Sequence, residues 1–265
     1  MSDAALSPEE RAGWERDGFF IVRQFAPRQT LDAMLARIVE LARAAERGES
    51  IGDAYVQAEA RIAAGARRAE DKLSKLFRVH RDEPVFRELC TDERLLDRVG
   101  ELLGTGDLDC FLSQFIFKLP GALGQPWHQD AFYFPFDREP QVGVWLAVSE
   151  ATEHNGPLWV LPGSHREPVH PVVRDRRPHA NLGYVEIVDR DTSAAQVVRM
   201  QPGDLLLFHS HLIHSSTDNH SESRRAAMVY HYAMGGTVDR SLEKFGFRPP
   251  NIDWMPVRRG GGAIG

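Results

Sequence analysis

The sequence contains few cysteines and no long hydrophobic run. Cys90 and Cys110 are the two cysteines among 265 residues, and their spacing matches neither a short disulfide framework nor a zinc motif. We therefore expect a reducing compartment and two buried thiols. The chain has no stretch of 18 apolar residues, and its charged N-terminal segment lacks the apolar core of a signal peptide. These absences predict a cytoplasmic protein without a membrane partner.

The chain also lacks an excess of positive charge. It has 32 Lys and Arg residues against 38 Asp and Glu residues, a formal net charge of -6. This balance argues against nucleic acid or an anionic membrane as the main partner. A chain of this length can bury a sizeable core within one domain. We therefore expect an enzyme with a small-molecule substrate, and the composition leaves its oligomeric state open.

The N-terminal part, residues 1–105, carries mostly helical patterns. A short helix is predicted to begin after the N-cap Ser7 and to end near Gly18, and a strand should follow it. Residues 28–48 have apolar side chains at helical spacing, and a second helical pattern covers residues 82–104. Residues 49–70 have weak periodicity, which leaves a loop, a loose helix or a mobile lid as alternatives.

The sequence pattern changes near residue 107. From there on, short apolar runs are separated by Gly, Pro, Asp and Asn. Such runs are typical of strands in a sandwich or barrel. We predict a mainly β fold with helical additions: a double-stranded β-helix, or jelly roll, at residues 106–236, flanked by the N-terminal helices. Residues 237–265 would form a C-terminal extension with a disordered tail, "RRGGGAIG", and the whole chain a single domain.

The segment "PWHQDAFYFP" contains His128 and Asp130 with one residue between them. On a strand, these two side chains would project from the same face and could bind one ion. Two histidines and a carboxylate on one face of an octahedral ion are typical of non-haem Fe(II) oxygenases, whereas zinc is more often tetrahedral. A third ligand would have to come from a distant strand. Spacing alone leaves four histidines as candidates: His209, His211, His214 and His220.

Three segments together resemble the phytanoyl-CoA dioxygenase family of Fe(II)/2-oxoglutarate oxygenases. They are "HQDAFYFPF", "WLAVSEATEHNGPLWVLPGSH" and "GDLLLFHSHLIHSSTDNHSESRRAAMVYHYA". The resemblance covers most of the chain from about residue 70, and "SPEERAGWERDGFFIVRQF" near the N-terminus looks like the opening of that family. It implies that His128, Asp130 and His214 hold Fe(II), and that 2-oxoglutarate and O2 are the cosubstrates.

The same resemblance places Arg225 at the far carboxylate of 2-oxoglutarate, with Ser216 beside it. An arginine suits this task because its planar fork can donate two charge-assisted hydrogen bonds to a carboxylate. Its neighbour Arg224 would point to the opposite face of the strand. Three further residues match the cosubstrate pocket of the family: Gln114, Trp145 and Lys75. Taken singly, they would be a solvated glutamine, a core tryptophan and a surface lysine.

The reaction implied by the resemblance is hydroxylation, or a related oxidation, of a small organic molecule with release of succinate and CO2. Halogenating relatives replace the carboxylate ligand with a small residue, so Asp130 favours hydroxylation, while desaturation, ring formation and epimerisation stay open. Phe132 and Phe134 would continue along the ligand face toward the substrate, and residues 49–70 and 168–195 would cover the pocket.

Two other classes of protein fit part of the pattern. A catalytically silent jelly-roll protein could keep the metal and 2-oxoglutarate site without turnover. A zinc or manganese hydrolase or isomerase would use the His-X-Asp pair and a distal histidine, but it would leave Arg225 and Ser216 without a purpose. The substrate is not determined by these motifs, since coenzyme A thioesters, amino acids and natural products are all compatible with them.

Overall fold

The protein is built on a large antiparallel β-sheet with helices against one face. The computed structural model describes residues 6–62, 65–181, 183–260 and 262–263. The helices in these ranges are α1 (Pro8–Asp17), α2 (Arg28–Glu46), α3 (Val79–Asp82), α4 (Pro84–Cys90), α5 (Glu93–Leu103), α6 (Asp130–Tyr133) and α7 (Ser241–Phe245). The strands are β1 (Phe19–Val22), β2 (Tyr55–Ala58), β3 (Leu73–Phe77), β4 (Leu108–Lys118), β5 (Val142–Ala147), β6 (Leu158–Val160), β7 (Val172–Arg174), β8 (Val185–Ile187), β9 (Gln196–Val198), β10 (Leu205–His209), β11 (His214–Ser216), β12 (Arg225–Met234), β13 (Met255–Arg259) and β14 (Gly262–Ala263).

The strands form two main sheets. The major sheet has nine strands: seven follow the order β1-β10-β5-β12-β4-β13-β14, β3 also pairs with β4, and β2 pairs with β3. A smaller sheet has the order β11-β6-β9, and β7 pairs with β8 separately. The pairings within both sheets are antiparallel. This arrangement agrees with the predicted mainly β fold.

Side-chain alternation along the central strand β12 explains why one face carries the helices and the other the site. Its even-numbered residues from Ala226 to Tyr232 belong to the core shared with the helices. Ala227 and Val229 belong to a second core that includes Val160 and Val198 from the smaller sheet. Because successive residues of a strand face opposite sides, Ala227 and Val229 lie on the face that packs against the smaller sheet.

The predicted N-terminal helix is confirmed, including both of its ends. The Ser7 side chain accepts a hydrogen bond from the Glu10 N–H, and the Glu10 carboxylate accepts one from the Ser7 N–H. This reciprocal pair satisfies N–H groups that the first helical turn leaves free. The helix ends at Gly18, which has φ of +83° in the left-handed region that glycine adopts without strain.

The N-terminal part is less helical than predicted, and its weakly periodic segment is ordered. Strands β1, β2 and β3 all come from residues 1–105 and all join the major sheet. The segment at residues 49–70 contains β2 and the start of a 3-10 turn at Ala69–Asp71, while residues 63 and 64 lie outside the described ranges. Pairing of β3 with both β2 and β4 gives this segment the structure that periodicity did not show.

The prediction of a disordered tail is wrong for residues 258–260 and 262–263. Arg258 lies in β13, where its side chain is buried and donates a hydrogen bond to Asp97 at 2.8 Å. Residues 258 and 259 also pair with β14. Residues 261, 264 and 265 lie outside the described part of the chain. Sheet pairing and the ion pair between the buried Arg258 and the exposed Asp97 therefore order a segment whose composition suggested no structure.

Both cysteines are buried and free, as predicted. Burial raises the pKa of the Cys110 thiol, so this sulfur stays protonated and unreactive at neutral pH. Within the described ranges, no helix combines the length and the hydropathy needed to cross a membrane.

His80 is a fully buried histidine whose titration should be visible in the stability of the fold. Its Nδ1 lies 2.7 Å from Ser113 Oγ, and burial lowers its pKa to about 4. Between pH 6.5 and 4 the unfolded state binds a proton that the folded state does not. The free energy of unfolding should therefore fall as the pH drops through this window.

The matched variant is His80→Leu, which cannot titrate. Relative to this variant, the wild-type protein should lose about 1.4 kcal/mol per pH unit inside the window and about 3 kcal/mol in total. Urea unfolding of both proteins at a series of pH values measures the difference, since other titrating groups cancel in the comparison. Parallel stability curves for the two proteins would show that His80 is not the group responsible.

Candidate metal centre

His128, Asp130 and His214 converge on one point. One ligand atom from each side chain lies within 4.8 Å of the others, and all three residues are buried. Asp130 Oδ1 lies 3.5 Å from His128 Nε2 and 3.8 Å from His214 Nε2. Among the described residues, no other group of histidine, cysteine and acidic side chains has such geometry. Two imidazoles and a carboxylate in this arrangement fit an Fe(II) site with open positions.

The fold brings the distant histidine to the pair through a backbone contact. His128 and His214 form an isolated antiparallel bridge. The nitrogen-to-oxygen distance is 2.9 Å from the His128 N–H to the His214 carbonyl and 3.0 Å from the His214 N–H to the His128 carbonyl. The chain does not run as one strand through this histidine-rich segment, because β10 ends at His209 and β11 begins at His214 in the smaller sheet. The change of sheet is what turns His214 toward the metal centre.

The other candidate histidines point elsewhere. The His209 ring packs against Trp14 at a centroid distance of 5.4 Å, and His211 Nε2 lies 3.1 Å from Glu139 Oε2. His220 is exposed, and its backbone N–H donates to the carbonyl of His154. Of the four histidines that spacing left as candidates for the third ligand, the topology therefore places His214 beside His128 and Asp130.

The prediction that His128 and Asp130 lie on one strand is wrong, although their side chains converge. Asp130 begins the helical turn α6, and the Ala131 N–H donates to the Ser210 carbonyl at 2.9 Å. A helical turn rotates successive side chains by about 100° rather than 180°, so strand alternation does not continue to Phe132 and Phe134. Both phenylalanines nevertheless line the cavity beside the metal centre.

The two histidine ligands are held in the form that binds a metal. His128 Nδ1 lies 2.8 Å from the Pro126 carbonyl, and His214 Nδ1 lies 2.9 Å from the Leu212 carbonyl. A carbonyl oxygen can only accept, so each Nδ1 carries the proton and each Nε2 keeps its lone pair, and that of His128 lies 3.0 Å from the Gln125 side-chain amide. Burial is the largest cause that lowers the pKa of His214, to about 4. The ring is therefore neutral at pH 7, as metal binding requires.

His231, which the sequence did not single out, orients the carboxylate ligand. Its Nε2 lies 2.8 Å from Asp130 Oδ2, which leaves Oδ1 facing the two ligand histidines. Burial by itself would raise the pKa of Asp130, but the surrounding imidazoles, including the hydrogen-bonded His231, hold it well below its ordinary value. His231 shares the inward face of β12 with Arg225, and that parity could have identified it.

Removing this hydrogen bond should weaken metal binding. His231→Leu is expected to lower the affinity for Fe(II) about 10- to 100-fold, the usual effect of losing a partner that orients a ligand. His231→Gln should recover much of the affinity because its amide can donate to Asp130. Anaerobic metal titration against a competing chelator measures both variants. Equal affinities for wild type and His231→Leu would contradict the orienting role.

The predicted site residues all line one cavity of about 690 Å³. It contains the three ligands, the five predicted cosubstrate contacts and the two predicted substrate contacts: His128, Asp130, His214, Arg225, Ser216, Gln114, Trp145, Lys75, Phe132 and Phe134. Its wall also includes Tyr55 and Val56 from residues 49–70 and Tyr184 from residues 168–195. The structure thus brings together residues from both covering segments and from both sheets.

Arg225 is a buried cation, and none of the described carboxylates forms an ion pair with it. Only 2% of its surface is exposed, its Nε and Nη2 donate to the Gly156 carbonyl at 3.2 and 2.8 Å, and its Nη1 has no partner among the described residues. Burial lowers the pKa of Arg225 to about 10, so it stays charged at pH 7. Its neighbour Arg224 points away as predicted, over the Phe117 ring at 4.5 Å.

Two lysines in the same cavity are in a similar position. Lys118 and Lys75 are both buried, and within the described ranges no carboxylate lies in ion-pair contact with either of them. A buried charge without an opposite charge costs several kcal/mol, which an anionic ligand would offset. These cations lie in the cavity that holds the metal ligands, so the site fits a dicarboxylate beside a metal ion.

The comparisons with known proteins agree with this chemistry. A family model described as Phytanoyl-CoA dioxygenase (PhyH) matches residues 14–227. The chain belongs to the phytanoyl-CoA dioxygenase family. A probable phytanoyl-CoA dioxygenase from Caenorhabditis elegans is 31% identical over 237 residues, which cover 86% of this chain and 75% of that protein. An ectoine dioxygenase from Sphingopyxis alaskensis is 28% identical over 278 residues, covering 98% of this chain and 85% of that protein.

A solved structure supports the fold of this phytanoyl-CoA dioxygenase family member. EctD from S. alaskensis, crystallised with 2-oxoglutarate and 5-hydroxyectoine, matches it with a TM-score of 0.69 and 22% identity over 88% of this chain and 78% of that one. At this identity the likeness concerns the fold, and it confirms the predicted jelly roll. Family membership and the convergence of His128, Asp130 and His214, the ligand trio, confirm the predicted class of the protein. It is an Fe(II)- and 2-oxoglutarate-dependent dioxygenase. Nothing among the described residues favours the catalytically silent alternative.

Proposed function

We propose that this dioxygenase hydroxylates a small, largely apolar organic molecule in the outer part of the 690 Å³ cavity. The observation that carries this proposal is that the side chains lining the cavity fall into two chemical groups. The first group, called the inner part, comprises the three metal ligands and the cations Arg225, Lys118 and Lys75, which have no carboxylate partner among the described residues. The second group, called the outer part, consists mainly of apolar and aromatic side chains, including Phe77, Phe132 and Phe247.

In the inner part, His128 Nε2, Asp130 Oδ1 and His214 Nε2 would hold Fe(II), and Arg225 and Ser216 would hold the far carboxylate of 2-oxoglutarate. When bound, the ion supplies the open positions at which O2 reacts as 2-oxoglutarate is converted to succinate and CO2. Gln114, Trp145 and Lys75 would complete the cosubstrate pocket. Trp145 supports this role because its ring lies 5.3 Å from the Arg225 guanidinium and packs along it.

The outer part would bind the substrate and exclude water. Lys244 Nζ donates to the Phe132 carbonyl at 2.8 Å and lies over the rings of Phe132 and Phe245, which attaches the C-terminal extension to the metal-binding turn. Asp130 is the one carboxylate among the described residues that line the cavity. A cationic substrate would therefore find no free anionic partner, whereas a neutral or weakly anionic apolar molecule would fit.

The remaining parts of the proposal concern the setting of the reaction. We expect residues 1–265 to act as one oxygenase domain in the cytoplasm, with a small molecule rather than nucleic acid or a membrane as partner. The net charge of -6 supports the choice of partner. The helices of the N-terminal part share a core with the major sheet, which supports one cooperative unit.

The test of this function is substrate-stimulated turnover. Protein loaded with Fe(II) and 2-oxoglutarate without oxygen should show a metal-to-ligand charge-transfer band in the visible spectrum. Under air, succinate release should be stimulated by members of a panel of neutral apolar molecules and not by apolar amines of matched size. A protein that shows the band but responds only to the amines would contradict the substrate class. One that shows neither band nor succinate would contradict the proposed site.

A further inference from the structure

Lys118 occupies an unusual position in the major sheet. It is the last residue of β4, and its direct partner across the strands in β12 is Arg225. Both side chains are buried, and both line the cavity. Like charges directly opposite one another on neighbouring strands destabilise a sheet, and burial increases that cost. The fold therefore keeps two adjacent buried cations where one would already be unfavourable.

The contacts of Lys118 do not neutralise its charge. Its Nζ donates to Ser216 Oγ and to the Thr217 carbonyl, both at 2.7 Å, and both acceptors are uncharged. Burial and the nearby charge of Arg225 lower the pKa of Lys118 well below its ordinary value, and the more distant carboxylates of Asp218 and Glu59 offset only part of this effect. An anion bound between the two cations would remove the conflict.

The hydrogen bonds around Ser216 determine the direction of its hydroxyl group. Ser216 Oγ accepts from Lys118 Nζ at 2.7 Å and from the Gln125 N–H at 3.0 Å. A serine hydroxyl has two acceptor lone pairs and one donor hydrogen. Both lone pairs are used, so the hydrogen remains free to donate. Since Ser216 also lines the cavity, its hydroxyl is set to meet an acceptor such as a carboxylate oxygen.

The backbone also makes room for this lysine. A Cβ atom at Gly156 would lie 2.2 Å from Lys118 Cδ, and the φ of Gly156 is +79°. The carbonyl of this same glycine accepts the hydrogen bonds of Arg225. One turn therefore accommodates both cations at the same end of the cavity.

We propose that Lys118 is a positioning residue for the dicarboxylate cosubstrate. It supplies a second positive charge opposite Arg225, and it holds Ser216 so that the serine hydroxyl donates to the far carboxylate. This inference rests on the proposed function, in which Arg225 and Ser216 hold that carboxylate. It adds a residue that makes the pocket select a ligand with a second carboxylate over a ligand without one.

The test compares two ligands that differ only in the far carboxylate. 2-Oxoglutarate and 2-oxopentanoate have the same chain length and the same keto acid end. Their affinities are measured by calorimetry on protein loaded with Mn(II), which binds both ligands without turnover. In Lys118→Met, the affinity for 2-oxoglutarate should fall about 10- to 100-fold, the usual value of a hydrogen-bonded charge, while that for 2-oxopentanoate changes less than about threefold.

Equal losses for the two ligands, or no loss for either, would overturn the role of Lys118. Arg225→Met, measured in parallel, separates this failure from failure of the proposed function. If Arg225→Met weakens 2-oxoglutarate and Lys118→Met does not, only the inference about Lys118 is wrong. If neither cation affects 2-oxoglutarate binding, the proposed site is wrong as well. Lys118→Gln, which keeps a donor near Ser216 but carries no charge, provides the same comparison if the methionine variant does not fold.

Discussion

His214→Ala is expected to lower the affinity for Fe(II) more than about 100-fold and to abolish succinate release. Loss of an orienting partner alone costs about 10- to 100-fold in metal affinity, so loss of a ligand should cost more. His214 is buried, its Nε2 faces Asp130 at 3.8 Å, and its Nδ1 is already used by the Leu212 carbonyl. Alanine leaves two ligands, too few to compete for iron with a chelator.

The matched control is His220→Ala, a change of the same residue type in the same segment. His220 is exposed, and the structure shows its backbone, rather than its ring, in a hydrogen bond. Iron affinity and succinate release should therefore equal those of wild type. Chelator competition without oxygen, followed by a succinate assay under air, measures both quantities. If His214→Ala kept its iron while His220→Ala lost it, the ligand assignment would be wrong.

Local patterns were sufficient for much of the fold. The capping residue Ser7 and the stop at Gly18 define α1 because their effects act within a few residues along the chain. Alternation in β12 correctly separates Arg225, which lines the cavity, from Arg224, which packs on Phe117. These predictions depend on backbone geometry alone, so they hold without knowledge of the tertiary structure.

Tertiary contacts determine what the patterns missed. The helical turn at Asp130 is held by a hydrogen bond from Ala131 to the distant Ser210 carbonyl, which no local pattern contains. His231 and Lys118 each gain a role from the strand or segment opposite them, through Asp130 and Ser216. A polar residue within a short apolar run indicates that the polar side chain is buried with a hydrogen-bonding partner. The identity of that partner depends on strand register. Family resemblance supplied the ligand set that periodicity left open.

Arg225→Met should produce the second large effect, a loss of about 100- to 1,000-fold in affinity for 2-oxoglutarate. Removing one partner of a buried charge pair costs about 3–5 kcal/mol, because the remaining charge stays buried without compensation. Here the remaining charge would be the far carboxylate of the ligand. The control is Arg224→Met, the same substitution one residue earlier on the opposite face of β12. Calorimetry on Mn(II)-loaded protein should find wild-type affinity in the control.

The stability of the ligand-free protein should change in the opposite direction. Arg225 is buried without an anion, and its Nη1 has no partner among the described residues, so methionine removes an unfavourable charge. Replacing buried charges by apolar groups of similar size is often neutral or stabilising. We therefore expect the free energy of unfolding of the ligand-free Arg225→Met variant to equal or exceed that of wild type, while added 2-oxoglutarate no longer raises its Tm. A variant that lost both affinity and ligand-free stability would indicate that Arg225 supports the fold through Gly156 rather than the cosubstrate. A loss of affinity for 2-oxoglutarate together with a gain in ligand-free stability would show that the chain retains this arginine for binding at the expense of its own stability.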